Sequence, residues 1–332
     1  MESVKNNIVL EPKVYLVGKP ALAKKGLADF FNDENIFFAI QNEPLTRMKF
    51  LEPKQKDWTI NTDNPAEILC MTAGKICYDA YGKGNNDIEP YIKNIIESGH
   101  HSVIEHAQWN FIIKGSRIWS HEHVRHRIGI GISQRSQRYV KESDANFVLR
   151  PEIAKNPEAK KIFENLIKES QKAYDRLIEI VSEDIKEQIP DSTLRIKTVR
   201  SSSRSVMPNA TETYIFWSAN ARALRHYIDL RANKHADQEI RKTAIQILKI
   251  MQAEAPNIFD DYEIKKTAEG FEVAITKLDR CLDRIKKQLE EQYETRNDEI
   301  KLKEQVIAEI LKVIESKILQ TKNIQFLKPQ MK

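Results

Sequence analysis

The stretch of this sequence with the most chemical potential is HEHVRHRIGIGISQRSQRYVK, residues 121–141. It holds three histidines and four arginines together with serine hydroxyls and two glycines, and no carboxylate follows Glu122 within it. Helix faces that contact water usually mix both signs of charge. This run is therefore either a basic turn that contacts only water or a segment that binds an anion.

An anion site needs several kinds of donor that converge. Arg125 and Arg127 flank His126 at the end of a predicted helix. A guanidinium offers paired donors to a phosphate, while serine hydroxyls and backbone N–H groups at glycines complete a cradle. Each charge-assisted hydrogen bond contributes roughly 1.5–3 kcal/mol, so a few of them hold a nucleotide. The further donors are Ser133, Ser136 and Arg138.

Nucleic-acid binding would require basic residues interleaved with stacking aromatic rings. Only Tyr139 is interleaved in this stretch. A compact anion site fits the pattern better than an extended groove, and we do not expect nucleic acid as a partner.

Six of the eight histidines lie between positions 100 and 126, which raises the alternative of a metal site. His121 and His123 have the right ligand type, with Glu105 or Glu122 nearby. Residues two apart on a helix point to different faces, so this pair does not converge on one ion. We expect no metal, and scattered hydrogen-bonding histidines remain the alternative.

A second basic cluster lies about 80 residues further along the chain. Arg222, Arg225 and His226 are spaced to share one side of a helix, and Asn220 is placed to cap that helix or to face a ligand. The other arginines of this cluster are Arg195, Arg200, Arg204 and Arg231. Taken alone, the cluster does not differ from an ordinary surface helix.

Alternating strands and amphipathic helices must position these residues. AQWNFIIKG is predicted as a strand, and SRIWSHEHVRHR as a helix that begins at Ser116. The remaining predictions are strands in KVYLVGKP and NIFFAIQNEP, helices in NPAEILCMTAGKICYDAYG and IEPYIKNIIESG, a glycine-loosened loop running into a strand in IGIGISQRSQRYV, mainly helix from Pro151 to residue 190, an irregular stretch before a strand in RSSSRSVMPNATETYIFWS, and two helices in ANARALRHYIDLRANKHADQEIRKTAIQILKIMQAEAP.

The character of the chain changes near both ends. Residues 1–62 are predicted as a separate N-terminal extension of short strands. Residues 264–320 are rich in Lys and Glu and carry helically spaced apolar positions such as Val306 and Ile310, which predicts a long amphipathic helix or helical hairpin. We therefore divide the chain into 1–62, a central catalytic domain at 63–260, and a helical extension at 261–332.

Composition narrows the class of protein. Hydrophobic residues make up 41% and charged residues 30% of the 332 residues, as in an ordinary globular protein, and the net charge of +5 permits anionic ligands. No apolar run reaches the roughly 20 residues that span a bilayer. Cys70, Cys77 and Cys281 have no metal spacing, and their odd number fits reduced thiols. We expect a cytoplasmic protein without a membrane segment.

Four ordered blocks resemble the flavin-dependent thymidylate synthases. They are GHHSVIEHAQWNFIIKGSR (99–117), VRHRIGIGISQRSQRYV (124–140), SRSVMPNATET (203–213) and NARALRHYIDLRANKHADQEIR (220–241). The resemblance covers roughly residues 64–260. It implies an α+β fold with a mixed, largely antiparallel sheet flanked by helices.

The resemblance also implies an activity. The family converts dUMP to dTMP: NADPH reduces FAD, methylenetetrahydrofolate supplies the one-carbon unit, and reduced flavin supplies the hydride. It works as a homotetramer whose active sites form where subunits meet, and it uses no enzyme nucleophile. Ser136 is then a nucleotide ligand.

Site residues follow from the matching motifs. The flavin-binding positions are Ser102, Glu105, Arg125, His126, Arg127, Ile128, Gln134, Asn220, Arg222 and His226. The nucleotide-binding positions are Glu122, Arg125, Gln134, Arg135, Ser136, Gln137, Arg138, Arg204 and Arg231. Arg231 matches the arginine that assists ionisation at uracil N3 and is the predicted catalytic residue. A guanidinium at that place would stabilise the negative charge that a hydride arriving at C6 leaves on the ring.

Three positions depart from the family pattern. Eight residues separate Arg127 from Ser136 where the family has seven, and glycine makes Gly129–Gly131 the expected place for the additional one. Glu122 stands where the family usually has Gln, and a carboxylate there repels phosphate unless it pairs with Arg125 or is protonated. Lys75 stands where an arginine is usual.

Two alternatives to dUMP methylation stay open. One is a flavoenzyme of the same fold that acts on another uracil nucleotide or on a uracil in nucleic acid. The other is a nucleic-acid-binding or assembly protein without catalysis.

Overall fold

The computed structural model describes residues 8–41, 43–47, 56–83, 86–276 and 305–312. Its strands are mostly antiparallel and are flanked by helices, which confirms the predicted α+β class. None of the helices within these residues is both long enough and apolar enough to cross a membrane.

The described strands form four small sheets. In chain order they are β1 (Ile8–Val9), β2 (Lys13–Gly18), β3 (Ile36–Ile40), β4 (Glu43–Pro44), β5 (Lys56–Ile60), β6 (Gln108–Ser116), β7 (Ile130–Gln134), β8 (Phe147–Val148), β9 (Glu212–Asn220), β10 (Tyr262–Lys266) and β11 (Glu272–Thr276).

The helices α4 (Arg117–His123) and α8 (Ala221–Arg231) hold the predicted site residues Glu122, Arg222, His226 and Arg231. In chain order the helices are α1 (Lys24–Asp33), α2 (Pro65–Cys77), α3 (Ile88–Glu97), α4 (Arg117–His123), α5 (Pro151–Ala154), α6 (Pro157–Asp184), α7 (Ser192–Ser203), α8 (Ala221–Arg231), α9 (Gln238–Glu254) and α10 (Pro256–Phe259). Two 3₁₀ turns, His101–His106 and Arg204–Val206, and a helical segment at 305–312 complete the set of described helical segments.

The largest sheet has the order β2-β6-β9-β7 and is antiparallel throughout. Strands β6 and β9 pair from Gln108↔Asn220 to Ser116↔Glu212 without a break in register. Every second side chain of β6 is buried, including Trp109, Phe111 and Ile113, because successive strand residues point to opposite faces. The strand predicted in AQWNFIIKG is thus confirmed.

Helices α4 and α8 each begin directly after a strand of this sheet, at a residue whose side chain caps the helix. The Ser116 hydroxyl accepts a hydrogen bond from the Trp119 N–H at 3.1 Å, and the Asn220 side chain accepts one from the Ala223 N–H at 2.9 Å. Buried Glu239 of α9 binds both the N–H and the hydroxyl of Ser116. These caps fix where the two helices begin and therefore where their last turns meet.

The N-terminal residues are short strands as predicted, but they are not a separate element. β2 is hydrogen-bonded to β6 and belongs to the main sheet. β3, β4 and β5 form a second sheet, which is joined by helix α1, an element that was not predicted. Phe38 and Trp58 of the sheet and Phe31 of α1 share one apolar core with the rest of the chain. Burial of these large rings gives the N-terminal residues a common core with the central part.

The helical prediction from residue 261 onward is wrong for its first part. β10 and β11 form an antiparallel hairpin that is hydrogen-bonded to the end of α8, where the Ala274 N–H donates to the Ala232 carbonyl at 2.8 Å. Asp261 binds Arg225 with both carboxylate oxygens at 2.6 Å. Residues 305–312 are helical, and the rest of the predicted helix lies outside the described residues.

The prediction of an irregular stretch around RSSS is also wrong, since α7 extends to Ser203. Asp191 caps this helix by accepting from the Leu194 N–H at 2.9 Å. Its hydroxyls donate back into the helix, as Ser202 does to the Thr198 carbonyl at 3.2 Å. Packing against α6 and these local bonds outweigh the low helix propensity of serine.

Candidate active site

The end of α4 and the end of α8 meet at Arg231. Its Nη1 group donates to the Glu122 carboxylate at 2.7 Å, and its Nε–H donates to Nε2 of His126 at 3.0 Å. The Arg231 side chain is only 19% exposed. The structure thus brings Arg231 together with two predicted site residues, Glu122 and His126, that lie more than 100 positions before it in the chain.

His126 is held in its neutral form. A guanidinium only donates hydrogen bonds, so Nε2 of His126 must be the acceptor and Nδ1 must carry the proton. Burial, then the positive charge of Arg231, then His226 lower the pKa of His126 to about 4.

Four buried rings next to these residues, those of Trp119, His123, Trp217 and Tyr227, form an aromatic box. The His123 Nδ1 atom lies 3.0 Å from the Tyr227 hydroxyl, and the His123 ring packs against the rings of Trp119 and Trp217. The Tyr227 ring also contacts His126 edge-on, with 4.8 Å between ring centroids. Burial, followed by the neighbouring His126 and Arg231, lowers the pKa of His123 to about 3. The box therefore supports His126 with uncharged groups.

Tyr227 is a residue of the site that the sequence prediction missed. The signal was available, because Tyr227 lies four residues before Arg231 and so shares a helix face with it. His123 was considered only as a metal ligand. His121 is exposed while His123 is fully buried, and among the described residues no cluster of His, Cys, Asp or Glu side chains is arranged to hold a metal ion.

Glu122 finds a partner that was not expected. The sequence suggested Arg125 as its counter-charge, but the carboxylate pairs with Arg231, while Arg125 is exposed. The pairing offsets part of the negative charge that would otherwise repel a phosphate at this place.

Two of the predicted flavin residues form an ion pair at the N-terminal end of α8. Glu105, in the 3₁₀ turn, binds Arg222 at 2.5 Å, and both side chains are about half exposed. Ser102 of the same turn is exposed, as are Arg127 and His226. Ile128 is 92% exposed, which is unusual for an aliphatic side chain.

Gly129 connects this region to the sheet. The Asn220 N–H donates to its carbonyl at 3.1 Å, and its φ of 70° is in the left-handed region that favours glycine. β7 then pairs with β9 from Ile130 to Gln134 in unbroken register, so the strand itself contains no bulge. That the additional residue lies at Gly129–Gly131 stays a prediction.

The predicted nucleotide residues form a tight turn after β7. The Ser136 carbonyl accepts from the N–H groups of Tyr139 and Val140, and its hydroxyl accepts from the Arg138 N–H at 3.3 Å. Gln137 is buried, Arg138 is exposed, and the Gln134 amide donates to Thr213 at 3.3 Å. The turn presents the Ser136–Arg138 segment at the surface.

Charged side chains anchor this turn to its surroundings. Arg135 lies over the Tyr214 ring and 3.5 Å from the carboxylate of buried Glu142. Arg200 of α7 donates to the Tyr139 carbonyl at 2.5 Å. Glu142 was missed in the sequence, although it directly follows the run that lacks carboxylates. Burial raises the pKa of Glu142, while Arg135 and Arg117 lower it.

Arg204 stands at the start of the second 3₁₀ turn, close to another arginine. Burial and, secondly, the positive charge of Arg204 lower the pKa of Arg117. Two guanidinium groups held near each other favour an anion between them.

The site residues thus fall into two groups. One is the Arg231 group, formed by Glu122, His126 and Arg231, and the other is the turn group, formed by Arg135, Ser136, Gln137 and Arg138. Within the part of the chain that the structure describes, no hydrogen bond joins the two groups. A single protomer does not show them converging on one pocket.

Comparison with known proteins identifies the family. A family model described as thymidylate synthase complementing protein matches residues 59–257. A flavin-dependent thymidylate synthase of Mycobacteroides abscessus is 41% identical over 238 residues, covering 70% of this chain and 94% of the relative. Those of Mycolicibacterium gilvum and Mycobacterium tuberculosis are 41% and 39% identical with the same coverage.

These matches define the class of protein, a methyltransferase-type enzyme. The chain belongs to the family of flavin-dependent thymidylate synthases.

Proposed function

We propose that the protein methylates dUMP to dTMP, with FAD as cofactor and with NADPH and methylenetetrahydrofolate as co-substrates. The observation that carries this proposal is the Arg231 group, which unites the arginine–histidine–arginine motif with the predicted catalytic arginine. Two of its members, His126 and Arg231, come from two of the four blocks on which the resemblance depends.

Arg231 is suited to a pyrimidine that gains negative charge. Its two bonds use Nε and Nη1, so the Nη2 group remains for an acceptor on the ring. A guanidinium fixed before the substrate arrives stabilises developing charge without reorganisation. His126, which is neutral, contributes no competing positive charge at this place.

The exposed residues near α8 fit a flavin dinucleotide in their chemistry. Arg125, Arg127 and Arg222 offer guanidinium donors to phosphate or to an anionic ring, and Ile128 offers an uncovered apolar surface to an aromatic ring system. When bound, the flavin would supply the hydride. The chain's own residues would bind and orient it and shield the site from water.

No side-chain nucleophile is needed, and the buried thiol of Cys70 does not offer one. Cys70 is buried, and burial raises the pKa of its thiol to about 12, which disfavours the reactive thiolate. The Ser136 hydroxyl is engaged within its own turn. These observations support a mechanism in which Ser136 binds the nucleotide.

The family resemblance supports shared active sites. Arg231 and the turn group would each complete the pocket of a neighbouring protomer in a homotetramer. A second subunit would bring the phosphate-binding turn to the pyrimidine-binding arginine.

The test is release of tritium from 5-labelled dUMP under anaerobic conditions with NADPH, FAD and methylenetetrahydrofolate. We expect release that depends on the folate, and dTMP as product. Folate-dependent turnover of another uracil nucleotide, with none of dUMP, would favour the alternative substrate. A colourless protein that takes up no FAD and binds DNA with steep salt dependence would favour the binding-protein alternative instead.

A further inference from the structure

The Glu122 carboxylate forms an ion pair with Arg231, the predicted catalytic residue. Glu122 stands where the resemblance places a glutamine, and a glutamine would carry no charge. The pair is 2.7 Å long, and its side chains are 32% and 19% exposed. A charged partner at this depth holds the guanidinium more firmly than a neutral amide does.

We propose that Glu122 is a positioning residue that sets the orientation of Arg231 toward the pyrimidine. The inference rests on the proposed function for its substrate. Glu122 acts on the reaction through Arg231.

The geometry explains how one carboxylate does this. The side chain of arginine has several rotatable bonds, and ordering it costs rotamer entropy. Glu122 and His126 are four residues apart around the end of α4, and they take the Nη1 and Nε atoms of Arg231. Two bonds from one short segment restrict the rotation of the guanidinium and use two of its three nitrogens.

The same carboxylate opposes binding of the substrate. Its negative charge reduces the positive potential that attracts an anionic nucleotide. The neighbouring charged and titratable groups are Arg125, His126, His226 and Tyr227, and the proposal requires none of them to titrate. Orientation of Arg231 and affinity for dUMP should therefore respond in opposite directions when the charge of Glu122 is removed.

The test compares Glu122→Gln and Glu122→Ala with the unmodified protein. We expect kcat with dUMP to fall by about tenfold in Glu122→Gln and further in Glu122→Ala. The Kd of dUMP, measured by calorimetry, should fall by about threefold in both variants, since a repulsive charge is gone. The control is Glu43→Gln, which removes an equal charge from an exposed pair with Lys24 remote from the site.

A second readout does not depend on turnover. In the ligand-free protein, the Nη1 protons of Arg231, which Glu122 accepts, should give an exchange-protected NMR signal, and both variants should lose that protection. Unchanged kcat, a raised Kd or retained protection in Glu122→Gln would overturn the proposal. If the unmodified protein does not act on dUMP at all, the proposed function fails, while the NMR comparison still decides whether Glu122 holds Arg231.

Discussion

The Nε–H group of Arg231 donates to Nε2 of His126 across 3.0 Å, and this bond joins the end of α8 to the end of α4. Strands β6 and β9 make the contact possible, because their long antiparallel pairing fixes the starting points of both helices. The bond also selects the tautomer of His126, since arginine offers only protons. A histidine inside a motif of positive residues is thereby kept as an acceptor.

His126 should not titrate in the range where free histidine does. Burial and then Arg231 lower its pKa from 6.5 to about 4. We therefore expect kcat/KM to show no inflection from this group near pH 6.5, and nitrogen NMR of the ring to report the Nδ1–H tautomer. His126→Gln keeps an acceptor and should retain part of the activity, whereas His126→Leu should lose it. An imidazolium signal at neutral pH would contradict this assignment.

The two buried histidines should make the fold sensitive to acid. The pKa values of His123 and His126 are lowered from 6.5 to about 3 and about 4, with burial as the largest cause. Below pH 6.5 the unfolded chain therefore binds more protons than the native one, so the stability that both groups contribute is present above pH 6.5 and is lost as the pH falls through their native pKa values.

The measurement is the free energy of unfolding in urea between pH 6.5 and about 5, where most carboxylates remain ionised. The double variant His123→Phe/Tyr227→Phe removes both polar partners of the box and should make the pH dependence shallower. Equal slopes in the two proteins would show that His123 does not carry this sensitivity.

Local patterns were enough to predict much of the fold. The alternation in β6, the serine before α4 and the asparagine before α8 are signals within a few residues, and the structure confirms all three elements. The motif arginines and Arg231 were found in the same way, through short blocks of sequence.

The predictions that failed concern residues whose structural partners are distant in the sequence. Glu122 and Arg231 are 109 residues apart, so nothing near Glu122 indicates its true counter-charge. The hairpin of β10 and β11 has a Lys- and Glu-containing sequence that resembles a solvated helix, but its strands pair with each other and join the end of α8. Serine-rich α7 is helical because packing against α6 overrides propensity.

Gly129 should be required for the junction between the motif and the sheet. Its φ is 70°, and a Cβ atom there would lie 2.5 Å from Nδ2 of Asn220, the residue that caps α8. We expect Gly129→Ala to lower the free energy of unfolding by about 1–3 kcal/mol and to reduce flavin retention. Gly131→Ala is the matched control, because its Cβ would meet only Ser218, at 3.6 Å. Thermal unfolding and flavin content would separate the two, and equal stability would contradict the strain assigned to Gly129.

Arg231→Ala should separate chemistry from cofactor binding. Removal of a preorganised donor from a site of developing charge lowers kcat/KM by about a thousandfold. The exposed residues assigned to the flavin, such as Arg127 and Arg222, do not bind Arg231, so the variant should keep its flavin absorbance after gel filtration. Arg176→Ala is a suitable control, since Arg176 pairs with Glu179 on the exposed face of α6. Full tritium release by Arg231→Ala would refute the catalytic role, whereas loss of the flavin together with the activity would show that Arg231 holds the cofactor as well.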